Sequence, residues 1–416
     1  MLHSFSTMRG VTDQYVELCG AVGSLTRQLT GTSIIDAYFG PEHLLHCAYH
    51  DAPDPQSLVF KLAELGDRIR ADVDSPLRRE FLSGEVRSLE TLVRWLTSDE
   101  LSYLQAVRAI FNIDAGPFTE RHIAQLVEQA ERSLIWVRGE GLDDKFRRLT
   151  ERELLRGGAL MHFVKRIVRR RTETAACLFR QNIYPLMGCS VTDNGIDYEF
   201  VSSKPWRAYC LYMGNYRSVN QFNLDQPFSR LGLVSVIYHE YEHHVASIWR
   251  EKAFRESGLI ELSILPLQTG FSVISEGTAD SARDFLGLPS CNDHVCSYHA
   301  VSRLRRAVLI NAAIMLNNDG YSEREVASYI SERIMVDSQS ALKSLGSISA
   351  RGPDGRPNFW APYIFTYAYG REKFVYPTFV RAKKSGSLGQ FFRTLYANPF
   401  SRSTATWRMA FDWLYH

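Results

Sequence analysis

The stretch "VIYHEYEHHVAS" at residues 236–247 decides how this chain is read. Its core, "HEYEHH" (239–244), places three imidazoles and two carboxylates within six positions. A helix is expected across it from about Ser229, a suitable N-cap, to Glu256, with Gly258 as the stop. In such a helix His239 and His243, four residues apart, project from one face. That is the geometry needed to hold one tetrahedral Zn2+ ion through two nitrogens. Glu240 points off that axis, where a carboxylate can take a proton from an activated water without occupying the metal. The competing reading is a charged helix face whose histidines bond to neighbours. Leu231, Leu233, Val234, Val236 and Ile237 speak against it: they bury the start of the helix, and buried ionisable groups need partners.

A catalytic zinc takes three protein ligands and keeps a fourth position for water. The third ligand is expected in "TGFSVISEGTADSARDFLG" (269–287), a second helix opened by Thr269 and ended by Gly287. Glu276 and Asp280 are again one turn apart. Glu276 completes the ligand set, and Asp280 can hold the far nitrogen of a ligating histidine. Alone, this acidic pair reads better as a solvated face. Val273, Ile274, Gly277 and Ala279 around Glu276 instead indicate a closely packed helix, where a carboxylate calls for a cation.

The rest of the chain frames these helices. Its 416 residues allow two or three domains or one large one, and 45% hydrophobic with 23% charged residues is globular composition. A net charge of +2 gives no global field for nucleic acid, and no apolar run approaches a membrane span. Neither a nucleic-acid nor a membrane partner is therefore expected. The seven cysteines have no regular spacing, and the first residues lack the pattern of a signal peptide, so a reducing cytoplasm is the expected compartment. Residues 11 to about 180 carry helical periodicity, with "YFGPEH", "DAPDP" and "DAGPF" as turns. In "CSVTDNGIDYEFVSS", Asn-Gly between β-prone segments suggests a hairpin or short strands, and "YCLYMGNYRSVNQFNL" reads as an extended strand. The expected architecture is mainly α, a large helical fold with a small β-sheet beside the site helices. It divides into a helical region (1–180) and a catalytic region (181–416), or forms one continuous domain with a cleft between the two.

His-Glu-x-x-His followed about thirty residues later by Glu-x-x-x-Asp resembles the gluzincin metallopeptidases, the thermolysin-like class. The resemblance implies His239, His243 and Glu276 as zinc ligands, Glu240 as general base, and Asp280 as the support of a ligating histidine. "DAYFGPEHL" (36–44), "YMGNYRSVNQFNLDQP" (212–227), "SEGTAD" (275–280) and "YIFTYAYGREK" (363–373) look closer still to a helical, poorly characterised bacterial gluzincin family distantly akin to carboxypeptidase Taq. Relatives of that kind often insert Pro-Gly between the glutamate and the His-His pair. Here "HEYEHH" is compact, which leaves His244 as a bystander or as the true second ligand.

The aromatic segment 359–371 offers Tyr363, Tyr367, Tyr369 and Arg371 to the substrate, and the resemblance points to Tyr367 as the substrate-facing phenol. Helix-packing tyrosines are the alternative. "GNYRSVNQFN" before the metal helix can be the edge strand that pairs with an extended substrate, placing Asn215, Tyr216 and Arg217 along the cleft; an ordinary structural strand is the other reading. Three further features read better without function. Cys291, His294 and Cys296 lack a matching second half for a zinc knuckle, "KRIVRRR" (165–171) is a solvated helix face, and His299 is a lone histidine.

These features together predict a zinc metallopeptidase, a hydrolase whose water is activated by one zinc ion with Glu240 as base, acting on a peptide substrate. Its rivals are a hydrolase of a non-peptide amide or ester and a non-catalytic binding protein that retains the metal site. Substrate length, endo- or exo-cleavage, residue preference and oligomeric state are not fixed by the sequence.

Overall fold

The computed structural model describes residues 10–415 apart from 45–53, 99, 152–153, 205, 289–293 and 335. "DAPDP" falls partly, and Cys291 wholly, outside the described residues. The protein is mainly helical with small sheets. The N-terminal helices are α1 (Val11–Thr30), α2 (Pro55–Asp72), α3 (Pro76–Thr97), α4 (Tyr103–Phe111), α5 (Glu120–Ser133) and α6 (Gly141–Glu151). Helix α7 (Gly157–Phe163) runs through a π-helical turn into α8 (Arg169–Asn182). Further on come α9 (Arg230–Ser257), α10 (Gly270–Phe285), α11 (His294–Asn317), α12 (Glu323–Ile334), α13 (Ser338–Ile348), α14 (Ile364–Tyr369) and α15 (Tyr376–Lys384). No helix among the described residues is long and apolar enough to cross a membrane.

The two site helices begin and end where their local chemistry dictates. The Ser229 hydroxyl accepts the Gly232 N–H at 2.9 Å and opens α9. Gly258, at φ 69°, closes it in the left-handed conformation and returns its N–H to the Phe254 carbonyl. Thr269 flanks α10 without a side-chain cap, and Gly287, at φ 66°, follows its end. Gly277 and Gly370 explain the close packing around Glu276. A Cβ on Gly277 would lie 2.3 Å from the Gly370 carbonyl carbon, so α10 and the turn after α14 meet backbone to backbone.

The strands are few and short. β1 (Ile35–Tyr38) pairs antiparallel with β7 (Ile264–Pro266), and β2 (Leu154–Leu155) with β6 (Phe228–Ser229). The main sheet has the order β3 (Ile196–Val201), β5 (Ser218–Asn223), β4 (Ala208–Tyr212). Two sequence expectations are corrected here. Of the two readings of Asn194-Gly195, the hairpin is set aside and the short strand holds: it leads into β3, which lies parallel to β5. "YCLYMGNYRSVNQFNL" is not one strand but two, β4 and β5, folded antiparallel around a turn at 213–217. Gly214, Asn215 and Tyr216 all take positive φ there, at 71°, 53° and 58°.

Two hydrophobic clusters fill the interior. One joins α1 to α5 with Leu262, Ile264, Val273, residues of α11 to α14 and Phe400. The other gathers α7, α8, α9, the outer face of α10 and the aromatic C-terminal residues Phe379, Phe391, Phe392, Trp407 and Phe411. Each draws on residues from both sides of position 180. Helices α9 and α10 lie where the clusters meet, buried on most of their circumference.

Candidate metal centre and its cleft

A helix buried all round must find a partner for every polar side chain. The six residues "HEYEHH" divide on that basis. Tyr241 donates its hydroxyl to Asp193 at 2.5 Å, and Glu242, fully buried, accepts from Arg402 at 3.1 Å. His244, also fully buried, is held by Ser218 Oγ at Nδ1 (2.8 Å) and by Asp193 Oδ1 at Nε2 (3.0 Å). Both nitrogens of His244 are thus taken by the sheet side of the fold, and it is not positioned as a metal ligand. His239, Glu240 and His243 face the other way, into a cleft of about 440 Å³.

Across that cleft floor stands α10. Glu276 Oε2 lies 3.3 Å from His239 Nε2 and 3.7 Å from His243 Nε2, and the two imidazole nitrogens are 3.1 Å apart. A tetrahedral ion with bonds of about 2.0–2.1 Å sets its ligand atoms about 3.3 Å from one another. The triangle therefore fits one zinc-sized ion. Glu276 Oε2 adds a second sign: it is buried and has no hydrogen-bond partner among the described residues, an uncommon state for a carboxylate oxygen.

The surrounding groups fix these three side chains. Asp280 Oδ1 accepts from His239 Nδ1 at 2.9 Å, which leaves Nε2 aimed at the triangle. Arg306, on α11, pairs with the other oxygen of Asp280. Ser275 Oγ lies 3.2 Å from His243 Nδ1, and Tyr363 donates to Glu276 Oε1 at 2.9 Å. Burial works against charge at every member of this group, yet the pairings outweigh it. Asp280 and Glu276 hold His239 well above the usual imidazole range. The two imidazoles hold Glu276 down at about 2, and Arg306 with His239 keeps Asp280 below the ordinary carboxylate range. The carboxylates are therefore anionic across the neutral range.

Glu240 lines the same cleft, beside the ligands. So does Tyr367, whose hydroxyl bonds to none of the described residues while Arg306 covers its ring, 4.6 Å from the centroid. Burial, reinforced by Glu276, raises the Tyr367 pKa far above its ordinary value, so the phenol keeps its proton and remains a donor. Tyr363 lines the cleft too, but its hydroxyl is committed to Glu276.

Four other proposed contacts lie elsewhere. Asn215, Tyr216 and Arg217 do not line the cleft. They form the β4–β5 turn, where Glu251 collects the N–H groups of Asn215 (3.0 Å) and Tyr216 (2.9 Å) and Asp197 pairs with Arg217. Glu251 sits eight residues beyond His243, about 12 Å along the helix. Arg371 is buried against Asp284 (2.9 Å) and the Tyr376 ring, serving α10 rather than the substrate space. Among the weaker sequence features, His294 packs on Trp136, "KRIVRRR" is largely exposed, and burial lowers His299 to about 4, which leaves it neutral.

The sequence reading gave the place beside the metal to the segment 214–223, whereas the strand there is β4 (Ala208–Tyr212). Its odd-numbered residues bond to β5, as Asn223 N–H to Arg207 O and Met213 N–H to Arg217 O show. The main-chain groups of Ala208, Cys210 and Tyr212 consequently point away from β5, and all three residues line the cleft. Asp36, Tyr209, Trp206 and Trp360 are among its other polar and aromatic lining residues. Arg306 was missed. Its sign in the sequence is an arginine-bearing helix, "RLRRAVLINAAIML", too apolar to be solvated on all sides.

No family model matches the chain, and no curated protein matches it. Among solved structures it is similar to "the putative lipoprotein from Colwellia psychrerythraea", with a TM-score of 0.55 at 14% identity over 97% of this chain and 74% of that one. At that identity the likeness concerns the fold alone.

Proposed function

We propose that this protein is a zinc-dependent hydrolase, a gluzincin-like metallopeptidase that cleaves peptide bonds. The observation that supports this reading best is the His239–His243–Glu276 triangle on the floor of a cleft that Glu240 and Tyr367 also line. When bound, the ion would supply Lewis acidity, polarising a carbonyl and easing the ionisation of water. Glu240 accepts the proton of the attacking water and delivers it to the leaving amine. Tyr367 donates a hydrogen bond to the oxygen on which charge develops. Tyr363 and Asp280 act through the ligands, holding Glu276 and His239 in place. The free edge of β4 offers main-chain donors and acceptors spaced for an extended peptide, which favours a peptide over a small amide or ester.

A binding protein with a retained metal site has no use for a carboxylate at the position of Glu240. The deciding comparison is Glu240→Gln, assayed with metal content measured in parallel. The variant should keep one zinc per chain and lose at least about a hundredfold in turnover of a peptide library. Unchanged turnover with the metal retained would refute the mechanism.

A further inference from the structure

We infer that Asp36 is a specificity-determining residue of this cleft: its carboxylate receives a cationic group of the substrate, either a free α-ammonium or a lysine or arginine side chain. This rests on the peptidase reading above and names the class of peptide the site would take.

The first support is the way Asp36 is placed. β1 and β7 pair Ile35 with Pro266 and Ala37 with Leu265, so Asp36 is the extra residue of a β-bulge. A bulge turns a side chain out of the regular alternation, here into the cleft that the metal triangle floors. Tyr209, on the edge strand, donates its hydroxyl to Asp36 Oδ1 and fixes the carboxylate. No other described residue hydrogen-bonds it, so Oδ2 is available to a ligand.

The second support is charge. Among the described residues lining the cleft the carboxylates are Asp36, Glu240 and Glu276, and there is no lysine or arginine. The exposed Lys204 lies against the Trp206 ring, 5.6 Å from its centroid, and is not part of the lining. A divalent ion is offset by Glu276 and Glu240 together, and Asp36 then leaves the cleft one negative charge in excess. A peptide's C-terminal carboxylate would meet that charge with no lining guanidinium or ammonium to hold it. A cation would neutralise it. Trp206, Tyr209 and Trp360 add aromatic rings to the lining, and the Trp206 ring already carries the Lys204 cation at 5.6 Å. Burial, with Glu276 and Glu240 adding to it, raises the Asp36 pKa against the lowering effects of Tyr209 and His243, so a cation at Oδ2 would relieve an existing electrostatic cost.

The test is calorimetric binding to zinc-loaded Tyr367→Phe protein, which keeps all three lining carboxylates and turns peptides over slowly. Four probes separate the possibilities: Ala-Ala-Ala-amide with a free amino terminus, its N-acetylated neutral form, an N-acetylated Ala-Lys-Ala-amide, and N-acetyl-Ala-Ala-Ala with a free carboxylate. We expect the free-amine or the lysine peptide to bind about tenfold or more tighter than the neutral one, and the free carboxylate to bind weakest. The stronger of the first two identifies the source of the cation. Adding Asp36→Asn should abolish the preference while the zinc content stays at one per chain. Equal binding of neutral and cationic peptides to the Tyr367→Phe protein would overturn the assignment without any second variant, as would a preference that survives Asp36→Asn. Binding of none of the four peptides would overturn the peptidase reading as well.

Discussion

Tyr363 and Tyr367 stand one helical turn apart, yet they should respond to the same substitution in opposite ways. Tyr363 is 7% exposed and donates to Glu276 Oε1 at 2.9 Å, the sole hydrogen bond to that oxygen among the described residues. Tyr363→Phe preserves the ring and leaves that oxygen of a buried, charged ligand bare. A hydrogen bond to a charged group contributes about 1.5–3 kcal/mol. At about 1.4 kcal/mol per decade, zinc affinity should fall by about ten- to a hundredfold, the usual size of a loss behind a ligand. The Tyr367 hydroxyl has no partner among the described residues, so Tyr367→Phe should leave zinc affinity within about twofold of the parent while lowering kcat by about a hundredfold. Competition against a chromophoric chelator at fixed pH gives the affinities, and circular dichroism checks the fold. Parent-like zinc affinity in Tyr363→Phe, or an equal loss in both variants, would refute the division of labour between the two phenols.

Other consequences are equally open to measurement. His244→Ala should retain one zinc per chain but lose about 2–4 kcal/mol of stability, from a cavity and two stranded partners, whereas His243→Ala should lose the metal; elemental analysis beside denaturant titration tells them apart. Gly277→Ala should destabilise by at least about 1–3 kcal/mol, because the new Cβ collides with the Gly370 backbone and not with a yielding side chain; thermal denaturation reads it. Glu85 gives a pH signature. Burial raises its folded pKa from 4.5 to about 7, despite Thr269 and Arg250, so the folded state holds an extra proton between those values. Stability should then fall by up to about 3 kcal/mol as pH rises from about 4.5 through 7 and level off above, and Glu85→Gln should flatten the profile. A profile unaffected by the substitution would contradict the assignment.

The parts of the site that lay on single helices were legible in the sequence. Ser229 and Gly258 bracket a helix whose i,i+4 spacing puts His239 and His243 on one face, and the small residues around Glu276 announced its close packing. What depended on pairing between distant segments was not legible. Asp36 enters the cleft only because β1 bulges against β7, some 230 positions later in the chain. Asn194-Gly195 carries the local chemistry of a hairpin, yet β3 finds its partner in β5 with β4 between them in sequence, and no dipeptide encodes a parallel pairing. Asn215, Tyr216 and Arg217 were placed in the cleft because their segment precedes the metal helix; the turn they form is drawn away by Glu251. Arg371 followed Tyr367 too closely in sequence to be told apart from it, but the π-helical turn at Gly370 sends it behind α10.

The meeting of Gly277 with Gly370 also sets limits on motion. With carbonyl against Cα and no side chains between to shear or re-rotamer, the ligand-bearing rod and the tyrosine-bearing wall are expected to move as a single block. Any breathing that admits a bulky guest must come from the opposite bank, where the hairpin is tethered through individual side chains such as Ser218 and Tyr209, and mobility there would set the pace of entry and exit without disturbing the reactive floor.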